Sequence, residues 1–163
     1  MNERTSHETE FVERMGLLWE SEGLPRIAGR IFGYLTVQDA PCSLDDLAAA
    51  LEVSKASVST DARRLESLGL LERVSLPADR RDYYSIATDA PARVLTIKIQ
   101  QLERFASALE ALSGQAELAP VVHARIRRFG QTHHRIVSTL RGLLAEVSHP
   151  ALSPSPTATS NSR

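Results

Sequence analysis

The chain reads as mainly helical with one small β-hairpin, an α+β class in which the hairpin is an appendage to helices. Three observations predict this. Apolar residues recur at spacings of three and four through most of its 163 residues, the period of helices with one buried stripe. Aromatics are only 5% of the composition, which leaves the core to Leu, Ile, Val and Ala. Only two short segments, close together, have the β-rich character of strands.

The first helix is expected from Phe11 to Trp19, on Phe11, Val12, Met15, Leu18 and Trp19, with Gly23 as its stop signal. Pro25 suits the first position of a second helix carrying Ile27, Ala28, Ile31, Tyr34 and Leu35. Gly29 and Gly33, four residues apart on it, suggest close approach of another helix, since each costs about 1 kcal/mol against Ala in a helix interior. Asp39-Ala40-Pro41 reads as a turn. Ser43 then caps a short helix, Leu44 to Leu51, with Asp46 placing a carboxylate near its N-terminus. Glu52-Val53 is a tight connection, and Ser54 caps the next helix, whose Val58, Ala62, Leu65 and Leu68 face inward and which stops at Gly69. Leu70 to Val74 and Arg81 to Ile86 are expected strands, joined by Leu76 to Arg80. Helix, tight turn, helix and hairpin together make a winged helix-turn-helix.

A long helix follows from Asp89-Ala90-Pro91 to about Ser113-Gly114, with Leu95, Ile99, Leu102, Ala106 and Leu109 at coiled-coil-like spacing and Val94, Ile97 and Phe105 widening the stripe. A last helix from about Pro120 to Val147 carries Val122, Ile126, Phe129, Ile136, Val137, Leu140 and Leu144. These faces exceed what so small a domain covers, so a second copy of the chain is the expected partner. The expected organisation is a flexible N-terminus over 1–10, a winged helix-turn-helix domain with its N-terminal helices over 11–90, a helical dimerisation region over 91–147, and a disordered tail, rich in Pro, Ser, Thr and Ala, over 148–163.

The polar N-terminus has no secretory character, no apolar run approaches a membrane span, and the single Cys42 permits no disulfide within the chain, all consistent with a cytoplasmic protein without a membrane role. The formal net charge of −1 hides an uneven distribution. Residues 1–53 hold 4 basic against 10 acidic side chains, residues 54–81 hold 6 against 4, and residues 82–163 hold 9 against 6. Positive charge thus begins at the second helix of the helix-turn-helix, and a local basic patch suffices for a polyanionic partner.

That helix carries Lys55, Ser57, Ser59, Thr60, Arg63 and Arg64. Lys55, Ala56, Ser59, Thr60 and Arg63 can share one exposed face suited to a major groove, where short hydroxyl side chains let the backbone lie close to base edges and Arg donates to guanine or phosphate. A solvated helix face explains the same residues equally well. Asp79-Arg80-Arg81-Asp82 falls at the hairpin tip. Alone such a string is more often a surface charge cluster; after a helix-turn-helix it becomes a candidate minor-groove probe, with an Arg held extended by an adjacent Asp.

Asp79-Arg80-Arg81-Asp82-Tyr83-Tyr84-Ser85-Ile86 resembles the wing pattern of MarR-type regulators, and Ser43 to Leu47 with Ser54 to Ser59 resembles their helix-turn-helix. Phe11 to Trp19 followed by Gly23 to Ile31 is similar to the opening of the GbsR branch. The resemblance covers roughly residues 9–90. It implies a dimeric regulator of transcription, usually a repressor, that binds double-stranded DNA and has an effector pocket near the junction of its two regions. It gives Ser54, Lys55, Ser57, Ser59, Thr60 and Arg63 groove or phosphate roles, and Arg81 the minor-groove role with Asp79 as its orienter. The adjacent Arg64 and Arg80 complete the candidate DNA-binding set. Half-sites of an inverted-repeat operator are expected about one helical turn apart. The effector's identity is not legible. The resemblance to the GbsR branch implies regulated genes of osmolyte or membrane transport.

Other candidates carry less. His123, His133 and His134 share one expected helix, but His123 and His134 lie three turns apart, too far for one metal, so no metal is expected and the histidines fit a surface or interface. Trp19 and Tyr34 fit a core better than an effector pocket. Cys42 has no activating base beside it in sequence. No phosphate loop, nucleophile constellation or catalytic carboxylate pair is discernible, so neither an enzyme nor a cofactor is expected. The rival to DNA binding is a winged-helix module that has lost it and docks a protein partner through its helical arms.

Overall fold

The computed structural model describes residues 5–77, 79–114 and 118–148. Helix α1 (Ser6–Ser21) starts on a capping box, in which Thr5 Oγ1 accepts the Glu8 N–H and the Glu8 carboxylate accepts the Thr5 N–H. This start lies five residues before the expected one and takes in part of the segment assigned to a flexible N-terminus. The first turn is polar, so apolar periodicity alone could not reveal it; a cap and the Arg14–Glu10 pair carry it.

Gly23, at φ +81°, closes α1 by donating to the Glu20 carbonyl, while Leu24 donates to that of Trp19. Pro25 is the N-cap of α2 (Arg26–Thr36) rather than its first residue, so the helix starts one residue later than expected. Gly29 and Gly33 face α1. A Cβ on Gly29 would lie 2.5 Å from the Met15 carbonyl oxygen, and one on Gly33 would lie 2.9 Å from Met15 Cβ. The glycine pair is therefore the seat of the α1–α2 crossing, which Glu13 staples by accepting from Arg26 at 2.9 Å and Arg30 at 2.7 Å.

Strand β1 (Cys42–Ser43) was not expected from sequence, because two residues between a proline turn and a helix cap offer no alternation to read. Ser43 serves both as strand residue and as N-cap of α3 (Leu44–Leu51), its Oγ accepting the Asp46 N–H. After α3 the chain turns through Glu52 at φ +55°, with Glu52 and Val53 donating to the carbonyls of Ala49 and Ala48. Ser54 then caps α4 (Lys55–Ser67). Gly69, at φ +71°, ends it with the geometry seen after α1.

Strands β2 (Leu71–Val74) and β3 (Tyr83–Ile86) form the expected hairpin, and β1 adds to its other side, giving an antiparallel sheet of order β1-β3-β2. Tyr83 thus stands opposite Ser43 on one side and Val74 on the other. The core is aliphatic: Val12, Ala28, Ile31, Leu35, Leu47, Leu51, Val58, Ala62, Leu65, Leu70 and Leu71 are buried. Leu68, expected inside, is half-buried.

Helices α5 (Ala90–Ser113) and α6 (Pro120–Ser148) complete the chain. Packing divides the protein into two compact units on either side of the Val94–Leu95 bond, within α5. In the second unit Ile99, Ala106, Ile126 and Val137 are buried. The ring of Phe105 lies 4.6 Å from that of His133, Glu110 meets His134 at 2.5 Å, and Glu103 accepts from Arg141. Phe105 and Leu112 on α5, and Phe129, Ile136 and Leu143 on α6, recur at sevens and remain exposed. The tail assigned to 148–163 lies, beyond residue 148, outside the described residues. Among the described residues no helix is long and apolar enough to cross a membrane.

Candidate nucleic-acid interface

The inward side of α4 is Val58, Asp61, Ala62 and Leu65. With that side fixed, the 100° step of a helix turns Lys55, Ala56, Thr60 and Arg63 to solvent, with Ser59 half-exposed among them. Ser54 is exposed and accepts the Ser57 N–H at 3.1 Å, so its hydroxyl is engaged in capping. Ser57 lies at the border of the face, its Oγ 2.8 Å from Ser54 Oγ. Thr60 donates to the Ala56 carbonyl. Arg63 folds along the helix, donating to Ser59 Oγ at 2.6 Å and to the Ser59 carbonyl at 3.2 Å. Lys55 reaches back to Asp45 at 2.8 Å, tying the first residue of α4 to the first turn of α3.

Arg64 lies outside this face and sits 3.6 Å from Asp61. Asp61 is buried on the inner side of α4, and burial raises its carboxyl above the usual range against the opposing effect of Arg64.

The wing carries the tightest polar cluster. Arg81 donates through Nε to both oxygens of Asp79, at 3.1 and 3.0 Å, and through Nη2 to Oδ2 at 2.6 Å, while its backbone N–H donates to Oδ1 at 2.9 Å. Tyr83 completes the cluster: its hydroxyl donates to Asp79 Oδ2 at 2.8 Å and accepts from Arg81 Nη2 at 2.5 Å. These bonds from Arg81 and Tyr83 hold the Asp79 carboxyl far below the usual carboxylate range. The bond to Asp79 raises the Arg81 guanidinium and the Tyr83 phenol in turn. Arg80 is exposed next to them. On the other side of the hairpin Arg73 spans Asp82 at 3.4 Å and Glu66 at 3.8 Å.

Sequence reasoning thus brought Asp79 and Arg81 together, but read Tyr83 and Arg73 only as strand residues. The two-residue spacing of 79, 81 and 83 was the available signal, but only Tyr83 lies in β3, and a side-chain turn from the Arg81 N–H to Asp79 brings the other two beside it. Asp45, the partner of Lys55, had no sequence signal, because the pairing depends on the angle between two helices.

The remaining candidates have structural surroundings. Trp19 is buried and stacks on Phe32 with ring centroids 5.1 Å apart; Tyr34 is buried in the same core. Cys42 is 9% exposed, and burial, with Asp46 and Asp39 nearby, pushes its thiol up to about 11. His133 bonds the Phe129 carbonyl and His134 bonds Glu110. Among the described residues no three His, Cys, Asp or Glu side chains gather as a metal site would require.

Comparison with known proteins agrees with this geometry. The model of the MarR family matches residues 22–82, the segment from the end of α1 into the wing. The HTH-type transcriptional regulator MmpR5 of Mycobacterium tuberculosis is 35% identical over 140 residues, covering 83% of this chain and 77% of that protein. The putative HTH-type transcriptional regulator YvaV of Bacillus subtilis is 27% identical over 90 residues, 55% of this chain and 51% of the other. A crystal structure of a transcriptional regulator, 30% identical, superposes with a TM-score of 0.69 over 87% of this chain and 98% of that one. A mostly helical chain with a three-stranded wing sheet, similar to these regulators over most of its length, belongs to the MarR family of winged-helix, DNA-binding transcription regulators.

Proposed function

We propose that the protein is a cytoplasmic homodimeric repressor of the GbsR branch that reads an inverted-repeat operator. In this reading each α4 enters a major groove with Lys55, Ser59, Thr60 and Arg63, Ser54 and Ser57 line the phosphates at its N-terminus, and Arg64 and Arg80 add backbone contacts. Arg81 enters the flanking minor groove. The observation that carries the reading is the braced Arg81 at the wing tip of the same compact unit that exposes the polar face of α4. The exposed heptad row of Phe129, Ile136 and Leu143 supports a dimer formed by the second unit, since an isolated chain gains nothing by leaving it in water. The similarity of residues 11–31 to GbsR openings supports the branch. A small-molecule effector would act by preferring a spacing of the two α4 helices other than the operator's.

The test is fluorescence anisotropy of the purified protein with duplex DNA from its own upstream region, at two salt concentrations, beside Arg81→Ala. Tight binding that falls steeply with salt, exceeds that to a scrambled duplex and collapses in the variant is the expected result. Equal, weak binding to both duplexes, repeated in a genomic selection, would remove the operator reading.

A further inference from the structure

An exposed Arg–Asp pair is a weak constraint, because solvent screens it and two long side chains must be immobilised to keep it. Arg81 and Asp79 are such a pair, with side chains 51% and 29% exposed, and Asp79 precedes the sheet rather than belonging to it. Left to themselves they would sample many arrangements. Tyr83 differs from both. It is the first residue of the central strand β3, paired toward Ser43 on one side and Val74 on the other, and is 7% exposed. Its ring is therefore fixed by the fold, and its hydroxyl is the one member of the cluster with a rigid base.

We propose that Tyr83 is a positioning residue for DNA recognition, its hydroxyl locking the Arg81 guanidinium into the orientation that the wing presents to the minor groove. The inference rests on the minor-groove role of Arg81 proposed above. The geometry is a closed ring of three bonds: Arg81 to Asp79, Tyr83 to Asp79, and Arg81 to Tyr83. Only the tyrosine hydroxyl can close it, because it both donates and accepts. The guanidinium carbon also lies 5.3 Å from the centroid of the Tyr83 ring. With Nε and Nη2 turned to Asp79 and Tyr83, the Nη1 edge is the one directed away from the carboxylate. That edge is the part of the guanidinium offered to a nucleic acid. The ring also adjoins the first turn of α3, where Asp46 accepts from Ser43, the residue paired with Tyr83, and adds its negative charge near Arg81.

The test compares wild type, Tyr83→Phe, Arg81→Ala and the double variant on a duplex that the wild-type protein selects from a random pool, across a salt series. Phenylalanine keeps the ring and removes the hydroxyl. Arg81→Ala is expected to weaken binding and flatten the salt dependence, because a cation is lost. Tyr83→Phe is expected to weaken binding about three- to tenfold, the scale of one hydrogen bond, with the wild-type salt slope. In the Arg81→Ala background it should cause no further loss. In parallel, the Nε–Hε NMR signal of Arg81 should be ordered in the DNA-free wild type and mobile in Tyr83→Phe with the backbone spectrum unchanged.

Wild-type affinity in Tyr83→Phe beside a clear loss in Arg81→Ala overturns the role of Tyr83 alone. An equal loss in both backgrounds overturns it too, since Tyr83 would then act through the fold. A mobile Arg81 Nε–Hε in the wild-type protein does so without any variant. Full affinity in Arg81→Ala overturns the minor-groove reading, and the role of Tyr83 with it.

Discussion

Asp46 shows how one carboxylate ties a local cap to the surrounding charge. It accepts from the Ser43 N–H at 3.0 Å and from Ser43 Oγ at 2.6 Å, and these bonds lower its carboxyl below the ordinary value, with Arg81 adding to the effect and Asp79 opposing it. A carboxylate whose folded pKa is depressed contributes stability that is present above its unfolded value, here near 3.8, and is lost as pH falls through the folded one. Asp46→Asn is accordingly expected to cost about 0.5–1 kcal/mol near pH 7, the scale of a cap. Urea titrations at a series of pH values should show the gap to wild type closing below about pH 4. A constant gap down to pH 2 would mean that the charge is irrelevant. Residue-scale features of this kind were partly legible. Ser43, Ser54, Gly23 and Gly69 announced themselves because caps and left-handed stops select residue types. Glu52 did not, because nothing in a glutamate signals φ +55°.

Among the elements, the α1–α2 crossing has the least tolerance. At Gly29 a methyl group would meet the Met15 carbonyl oxygen at 2.5 Å, and Gly16 Cα and Trp19 Cβ at 2.9 Å. Two of those three contacts are with backbone, which cannot rotate away. Alanine is the better helix former by about 1 kcal/mol. The clash, on the scale of about 1–3 kcal/mol for overpacking and with backbone shifts in addition, should outweigh this gain. Gly29→Ala is therefore predicted to lower the thermal midpoint, and a midpoint at or above wild type would show that the helices can part without loss. The glycine pair was visible in sequence as a conflict with helix propensity, which only close packing explains. Strand β1 was invisible for the opposite reason: two residues carry no period, and their pairing with β3 is a long-range event. The start of α1 was missed because its first turn is held by polar bonds rather than by a buried stripe.

For the whole molecule, the apolar stripes of α5 and α6 were legible, but their division into a covered row and an exposed row was not, since periodicity gives a face and not its partner. Ile99, Ala106, Ile126 and Val137 are covered within the chain, whereas Phe129, Ile136 and Leu143 are not. If a second copy covers them, Ile136→Glu should shift sedimentation from dimer to monomer and lower the apparent operator affinity, because two half-sites would no longer be read together. A variant that remains dimeric would place the contact between copies elsewhere on the molecule.

The pairing of cations on α4 and the hairpin has a kinetic consequence. Lys55, Arg64, Arg73 and Arg81 each face a carboxylate of the same chain, from Asp45, Asp61, Asp82 and Asp79 respectively. Seen from several Debye lengths away, such pairs nearly cancel, and a chain of net charge −1 offers a distant duplex little attraction. Arrival at DNA is then unsteered, near the neutral protein range of about 10⁵–10⁶ M⁻¹s⁻¹. Discrimination between the operator and other sequences would reside in dwell time, because only a fitting groove brings phosphates and base edges within contact distance of these paired cations. Stopped-flow mixing should find similar association rates for operator and scrambled duplexes, with the difference in affinity carried by dissociation.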